Sequence, residues 1–299
     1  MNNHLQIAAV SRNYFNMPLW VAQACGFFER ERLSLDLNLI EGIDRVTEGL
    51  ASGQFQIDLG VTENVILNRE HGGRLEVIGG NVNRLPFSLI AHPSIKRIAD
   101  LRGKRIGVSS IEAGSSSLVM KMLAEHGLNY PNDYVLLPVG PILTRWAMLQ
   151  SGEIEAGLQG APMNQVALEA GYNNLGRPSD MFPDFQFTSV NVDSDWASQN
   201  RDTVVAFLRA YVCACQWLAA NREASREIAG REANLPPDHA DFAWQECVRD
   251  GVIPADGRAD VKSVQTLIEV SSQIRALPGR RALDASSYIN PSYLDATNL

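Results

Sequence analysis

Moved forward by 99 residues, the chain falls on itself without a gap. The segment 7–10 lands on 106–109, the loop 11–18 on 110–117, and Leu19 on Leu118. Further along, Leu50-Ala-Ser-Gly53 lands on Leu149-Gln-Ser-Gly152, and a strand around 57–60 lands on 156–159. Identities are few, yet one spacing governs every one of these features. That spacing implies two lobes of similar topology, and 299 residues suffice for two medium domains with a sizeable core.

Within each copy the apolar pattern switches between strand and helix periods. In the first, a strand at 5–10 leads to a helix at 19–32, followed by a strand at 33–40 in which Leu33, Leu35, Leu37 and Leu39 alternate. A helix at 45–51 stops at Ser52-Gly53, then come strands at 57–61, 75–78 and 87–91. The second copy repeats this through strands at 106–109, 134–139 and 154–158, helices after 118 and at 142–150, and a crossing segment at 185–192. From Arg201 the pattern turns helical, with Val204, Leu208, Tyr211, Val212, Cys215 and Leu218 at helical spacing, and further helices at 222–234, 238–250 and 260–276. Alternating strands and helices give an α/β fold with mostly parallel sheets.

The second copy's strand runs into a small-residue loop ending Gly114-Ser115-Ser116-Ser117 at a helix start. Free N–H groups and the helix dipole there favour an anion. No Gly-Lys-Ser/Thr closes the loop, so it is not a phosphate-binding P-loop. A net charge of −8 argues against a nucleic-acid surface, which needs a basic stripe. No apolar run approaches the roughly 18 residues of a membrane span. Cys25, Cys213, Cys215 and Cys247, and the five scattered histidines, lack metal-ligand spacing, so neither metal nor cofactor is expected.

In open α/β sheets, ligands sit beyond the carboxyl ends of the strands. That rule selects four loops, 11–18, 61–64, 110–117 and 159–163, lining one cleft between the lobes. Segments near 88–91 and 188–192 become hinge strands, so one lobe is expected to comprise 1–89 plus 191–299 and the other 90–190.

Several strings resemble a known family. They are Leu19-Trp-Val-Ala-Gln-Ala-Cys-Gly-Phe-Phe28, Leu50-Ala-Ser-Gly53 with Ile57-Asp-Leu-Gly60, and Ile98-Ala-Asp-Leu-Arg-Gly-Lys-Arg-Ile-Gly-Val108 followed by Gly114-Ser. Gln150-Ser-Gly-Glu-Ile-Glu-Ala156 and Tyr288-Ile-Asn-Pro-Ser-Tyr-Leu294 also fit. The chain is similar to the substrate-binding proteins of nitrate, sulfonate and taurine ABC transporters and to the related thiamine-pyrimidine-precursor proteins. These share the type II periplasmic-binding-protein fold, two α/β lobes joined by two hinge strands.

The resemblance implies a hinge-closing binder of a small organic molecule, often an anion, with an ABC permease as partner. By position, Asn13 and Tyr14, Thr62 and Glu63, Gly114, Ser115 and Ser116, and Gln159 and Pro162 come from the four loops. Arg84 approaches the hinge and would pair with a carboxylate or sulfonate. Tyr14 and Phe15 would stack on an aromatic ligand. The alternative is a cytoplasmic enzyme on the same fold, such as a decarboxylase or other lyase, with Glu63 as its acid. Loop 11–18 lacks the cysteine of the related desulfinases, and the clustered cysteines of the precursor synthases are absent. A LysR-type effector domain shares the fold but would need a DNA-binding segment before the first strand. With no leader in the given chain, a periplasmic location requires one already removed, and a native Met1 implies the cytoplasm.

Overall fold

Strand-forming and helix-forming stretches alternate along the chain as their apolar periods dictate, and the computed structural model describes residues 3–273 and 284–299. Ten strands form: β1 (Asn3–Val10), β2 (Leu33–Ile40), β3 (Ile57–Val61), β4 (Leu75–Val82), β5 (Phe87–Ala91), β6 (Arg105–Val108), β7 (Val135–Pro138), β8 (Ala156–Gly160), β9 (Asn173–Asn174) and β10 (Thr188–Asp193). They build two five-stranded sheets, ordered β2-β1-β3-β10-β4 and β7-β6-β8-β5-β9.

The repeat survives in three dimensions. β3 and β8 span 57–61 and 156–160, and the helices that precede them begin at Ile43 and Ile142, again 99 apart. In each sheet the first three strands run parallel. The fourth is antiparallel and comes from the other end of the repeat: β10 pairs with β3 and β4, while β5 pairs with β8. The sheets are therefore mixed. The chain crosses between lobes at 83–86 and again between β9 and β10, so the segments expected as hinges lie inside the sheets.

Two helices differ from the sequence pattern. The segment 19–32 is broken into Met17–Ala24 and Phe27–Arg30, because Gly26 adopts a left-handed φ of 69° that ends the first helix. The 238–250 helix begins at Pro237 and widens into a π-helical turn over Gln245–Arg249. The last long helix runs Val261–Ser272, and the end expected for it at 276 lies outside the described residues.

Helix Arg201–Ala220 is apolar enough over 18 residues, with mean hydropathy 1.5, to match a membrane span in length and composition, although no run in the sequence is continuously apolar over that length. Half of that window is buried inside the fold. It packs on the two short helices of the first lobe, where Phe207 stacks on Phe28 at 5.6 Å between centroids. Phe28 is 2% exposed, so Phe28→Ala leaves a cavity on both helices. The expected loss is about 3–5 kcal/mol in urea-induced unfolding. A loss below about 1 kcal/mol would mean the two layers are not coupled there.

Candidate functional site

The carboxyl ends of β1, β3, β6 and β8 face one another across the cleft, as their parallel order requires. Between them lies a cavity with about 480 Å³ of empty space. Val10, Asn13, Phe15, Asn16, Ile43, Leu59 and Val61 line it from the first lobe, and Ser109, Pro141, Ile142 and Arg145 from the second. Asn81, Phe87, Phe187 and Thr188 close the hinge side. The aromatic wall is a set of edge contacts, with Phe87 5.8 Å from Phe15 and 4.8 Å from Phe187.

Among the described residues, one charge reaches this space. Arg145 is 2% exposed, on the first turn of helix Ile142–Ser151. Its stem crosses the sheet because Gly107 of β6 and Gly157 of β8 are paired neighbours. A Cβ on either glycine would stand 3.1 Å from the arginine's Cγ, so the two bare backbones form its slot. Its Nη1 donates to Ser115 Oγ at 2.9 Å and to Ser109 Oγ at 3.4 Å. Nε has no hydrogen-bond partner, and among the described residues no carboxylate lies within ion-pair distance. Burial lowers the guanidinium pKa to about 10, which leaves it charged at neutral pH. A buried cation without a counter-ion is costly, and an anion in the cavity would complete it.

The anion cradle expected at 114–117 is filled by the chain itself. Glu63 Oε2 accepts from the Gly114 N–H at 2.9 Å and from Ser117 Oγ at 3.4 Å. Ser115 Oγ accepts from the Ser109 N–H at 2.8 Å, and Ser116 Oγ donates to the Ala113 carbonyl at 3.1 Å. Gly114 has φ 73°, and a Cβ there would sit 3.0 Å from Ile43 Cδ1 of the facing lobe, so this close approach needs glycine.

The other expected residues divide. Asn13 lines the cavity and also shapes its loop, accepting from the Phe15 N–H at 2.9 Å and donating to the Val10 carbonyl at 2.7 Å. Beside it Asn16 Nδ2 donates to the Ser11 carbonyl at 2.6 Å, holding Ser11 at a strained φ of 45°. Tyr14 is buried away from the cavity wall, and burial first, then Cys247 and Asp241, push its pKa up. Arg84 is exposed, donating to the Asp250 carbonyl at 3.2 Å outside the cleft. Gln159 is buried against the second-lobe helix, donating to the Ile142 carbonyl and accepting from the Trp146 N–H, both at 3.2 Å. Pro162 follows a cis peptide and precedes helix Met163–Glu169, off the cavity wall. Arg145 was not singled out from sequence. Its signal is a charge sharing one helix face with the buried Ile142, Trp146 and Leu149.

Thr62 anchors the turn that carries Glu63. Its Oγ1 lies 2.9 Å from Ser189 Oγ, which donates to Asn191 Oδ1 at 2.6 Å, and Asn191 Nδ2 donates to Asp58 Oδ1 at 2.8 Å. Burial raises the Asp58 pKa from 3.8 to about 8, against the opposing Asn191 hydrogen bond. The folded chain thus holds this proton more tightly than the unfolded one. The stability it contributes is complete below 3.8 and is lost as pH rises through about 8. Asp58→Asn, which mimics the neutral acid, should therefore flatten the fall in melting temperature between pH 5 and pH 8. Parallel profiles for the two proteins would mean that Asp58 is ionised throughout.

Residues 13–225 match the family described as NMT1/THI5 like, over more than two thirds of the chain. A 4-amino-5-hydroxymethyl-2-methylpyrimidine phosphate synthase of Schizosaccharomyces pombe is 27% identical over 167 residues, 55% of this chain and 46% of that protein. The chain thus spans about half the length of that relative. A protein of Bordetella bronchiseptica RB50 superposes with a TM-score of 0.87 at 20% identity, covering 99% of this chain and 96% of its own. The alkanesulfonate-binding protein SsuA of Xanthomonas axonopodis pv. citri, bound to MOPS, does so at 0.79 and 17% identity, covering 96% and 98%. These likenesses give the fold, the two-lobed periplasmic-binding-protein architecture, and the sequence match gives the family: the chain belongs to the NMT1/THI5-like family.

Proposed function

We propose that this protein captures a small organic anion between its lobes and hands it to the permease of an ABC-type importer. The observation that carries the reading is Arg145, a buried guanidinium on the cavity wall with no carboxylate beside it among the described residues. A sulfonate or carboxylate would accept from its N–H donors and lift the cost of the bare charge. The ligand's apolar body would lie against Phe15, Phe87 and Phe187. The Xanthomonas neighbour, an alkanesulfonate-binding protein, supports that chemistry. An importer role puts the working protein outside the cytoplasmic membrane.

A second reading, an enzyme such as a lyase, draws on the synthase named among the relatives. Against it, Arg145 is the sole ionisable side chain among the described residues that line the cavity. Glu63, the acid such a reaction would use, is turned to the helix at Ser115 instead. Capture without conversion fits this wall better than proton transfer.

The test is a thermal-shift panel of methanesulfonate, benzenesulfonate, acetate and benzoate beside benzylamine and benzyl alcohol. The anions should raise the melting temperature, with roughly 2.7 kcal/mol of stabilisation at a hundredfold excess over Kd, and should be recovered unchanged after incubation. Arg145→Met keeps the stem in its slot but removes the charge. It should abolish the anion shifts and leave the unliganded protein as stable as before or more so. Anion shifts that persist in Arg145→Met, or shifts from the amine alone, would overturn the reading, and loss of the bound compound would turn it toward an enzyme.

A further inference from the structure

Where β10 pairs with β4, the hinge side of the cavity carries two polar side chains from a single sheet, Asn81 and Thr188. The pairing steps from Thr188 opposite Val82 to Ser189 opposite Gly80, so Asn81 is the extra residue of a β-bulge. A bulge re-aims the side chain it carries. Here it sets Asn81 against Thr188, with Nδ2 donating to Thr188 Oγ1 at 3.1 Å. The buried Tyr211 hydroxyl orients the amide, reaching Asn81 Oδ1 at 3.2 Å and the Gly80 carbonyl at 3.0 Å. Both cavity residues are buried, and each keeps a hydrogen to spare. Among the described residues, no acceptor takes the Thr188 hydroxyl hydrogen or the second amide hydrogen of Asn81.

We infer that Asn81 and Thr188 read a hydrogen-bond acceptor on the ligand, so that the captured molecule is a bifunctional anion. Its acid meets Arg145, its apolar body meets Phe15, Phe87 and Phe187, and a carbonyl, ether or ring nitrogen meets the Asn81–Thr188 pair. Arg145 belongs to the second lobe and the pair to the first, so each lobe recognises a different end of one molecule. Spare donors on a wall shared with Phe87 and Phe187 are costly unless something accepts from them. A hydrocarbon placed there would leave both hydrogens unpaired, and a site built to bond a polar group rejects the analogue that lacks it. This ligand class rests on the anion reading of the cavity. The pair itself lies within one sheet and keeps its geometry however the lobes are set.

Calorimetric titration with 3- and 4-acetylbenzoate against 3- and 4-isopropylbenzoate compares a carbonyl with a hydrocarbon of the same shape on the same acid. At least one acetyl compound should bind about fivefold tighter than its isopropyl partner, the scale of one neutral hydrogen bond. Thr188→Val, which removes the hydroxyl and keeps the shape, should erase that preference. Thr188→Ser should retain it, which separates the hydroxyl from a folding defect, and Arg145→Met should weaken both members of a pair alike. Acetophenone against isopropylbenzene repeats the comparison without the acid. Equal affinities within every pair, or a preference that survives Thr188→Val, overturns the acceptor site while the anion reading stands. Benzoates that fail to bind while acetophenone is still preferred over isopropylbenzene overturn the anion reading alone, and binding by none of these compounds overturns both.

Discussion

Arg145 reaches the cleft across two glycines that leave room for its stem on the sheet, and it carries a charge into a space where no acid among the described residues meets it. A lone charge buried to this extent is tolerated only where something else in the protein's working cycle offsets it. The arrangement around it follows from that need. Ser109 and Ser115 take the hydrogens of one guanidinium nitrogen, and the aromatic wall supplies an apolar surface. Low dielectric then makes any anion contact on the guanidinium stronger than it would be in water.

Negative charge is kept apart from that guanidinium by a division of labour. The helix start at Ser115 attracts anions as any helix N-terminus does, and Glu63 of the opposite lobe occupies it. Asp58, deeper in the first lobe, is held largely neutral by burial and serves the Asn191–Ser189–Thr62 chain that fixes the turn before Glu63. Neither acid approaches Arg145 closely enough to pair with it. The molecule thus places one carboxylate in the contact between its lobes and reserves its buried cation.

Much of the architecture was legible because it is periodic. The 99-residue shift holds for strands and helices alike, since a βα unit is fixed by local pattern and short connections. What the pattern could not supply was the strand exchange that makes β5 and β10 antiparallel, because that depends on long-range pairing. The site was legible in kind more than in residue. An anion at the Ser115 helix start could be inferred from loop chemistry, but its source, Glu63, required the facing lobe. Arg84 drew attention as a cation near the hinge, yet its neighbours carry it to the surface beside Asp250. Arg145 was hidden because a charge on an apolar helix face reads as noise until paired glycines on two distant strands are seen beneath it.

The most direct measurement is a crystal structure of the complex with whichever sulfonate or carboxylate from the panel stabilises the protein most. The account predicts the acidic head within hydrogen-bonding distance of the Arg145 guanidinium, the apolar body against Phe15, Phe87 and Phe187, and Glu63 still on the Gly114 N–H. An acidic head seated on Gly114–Ser117 with Glu63 displaced, or bound outside the cleft beside Arg84, would contradict it.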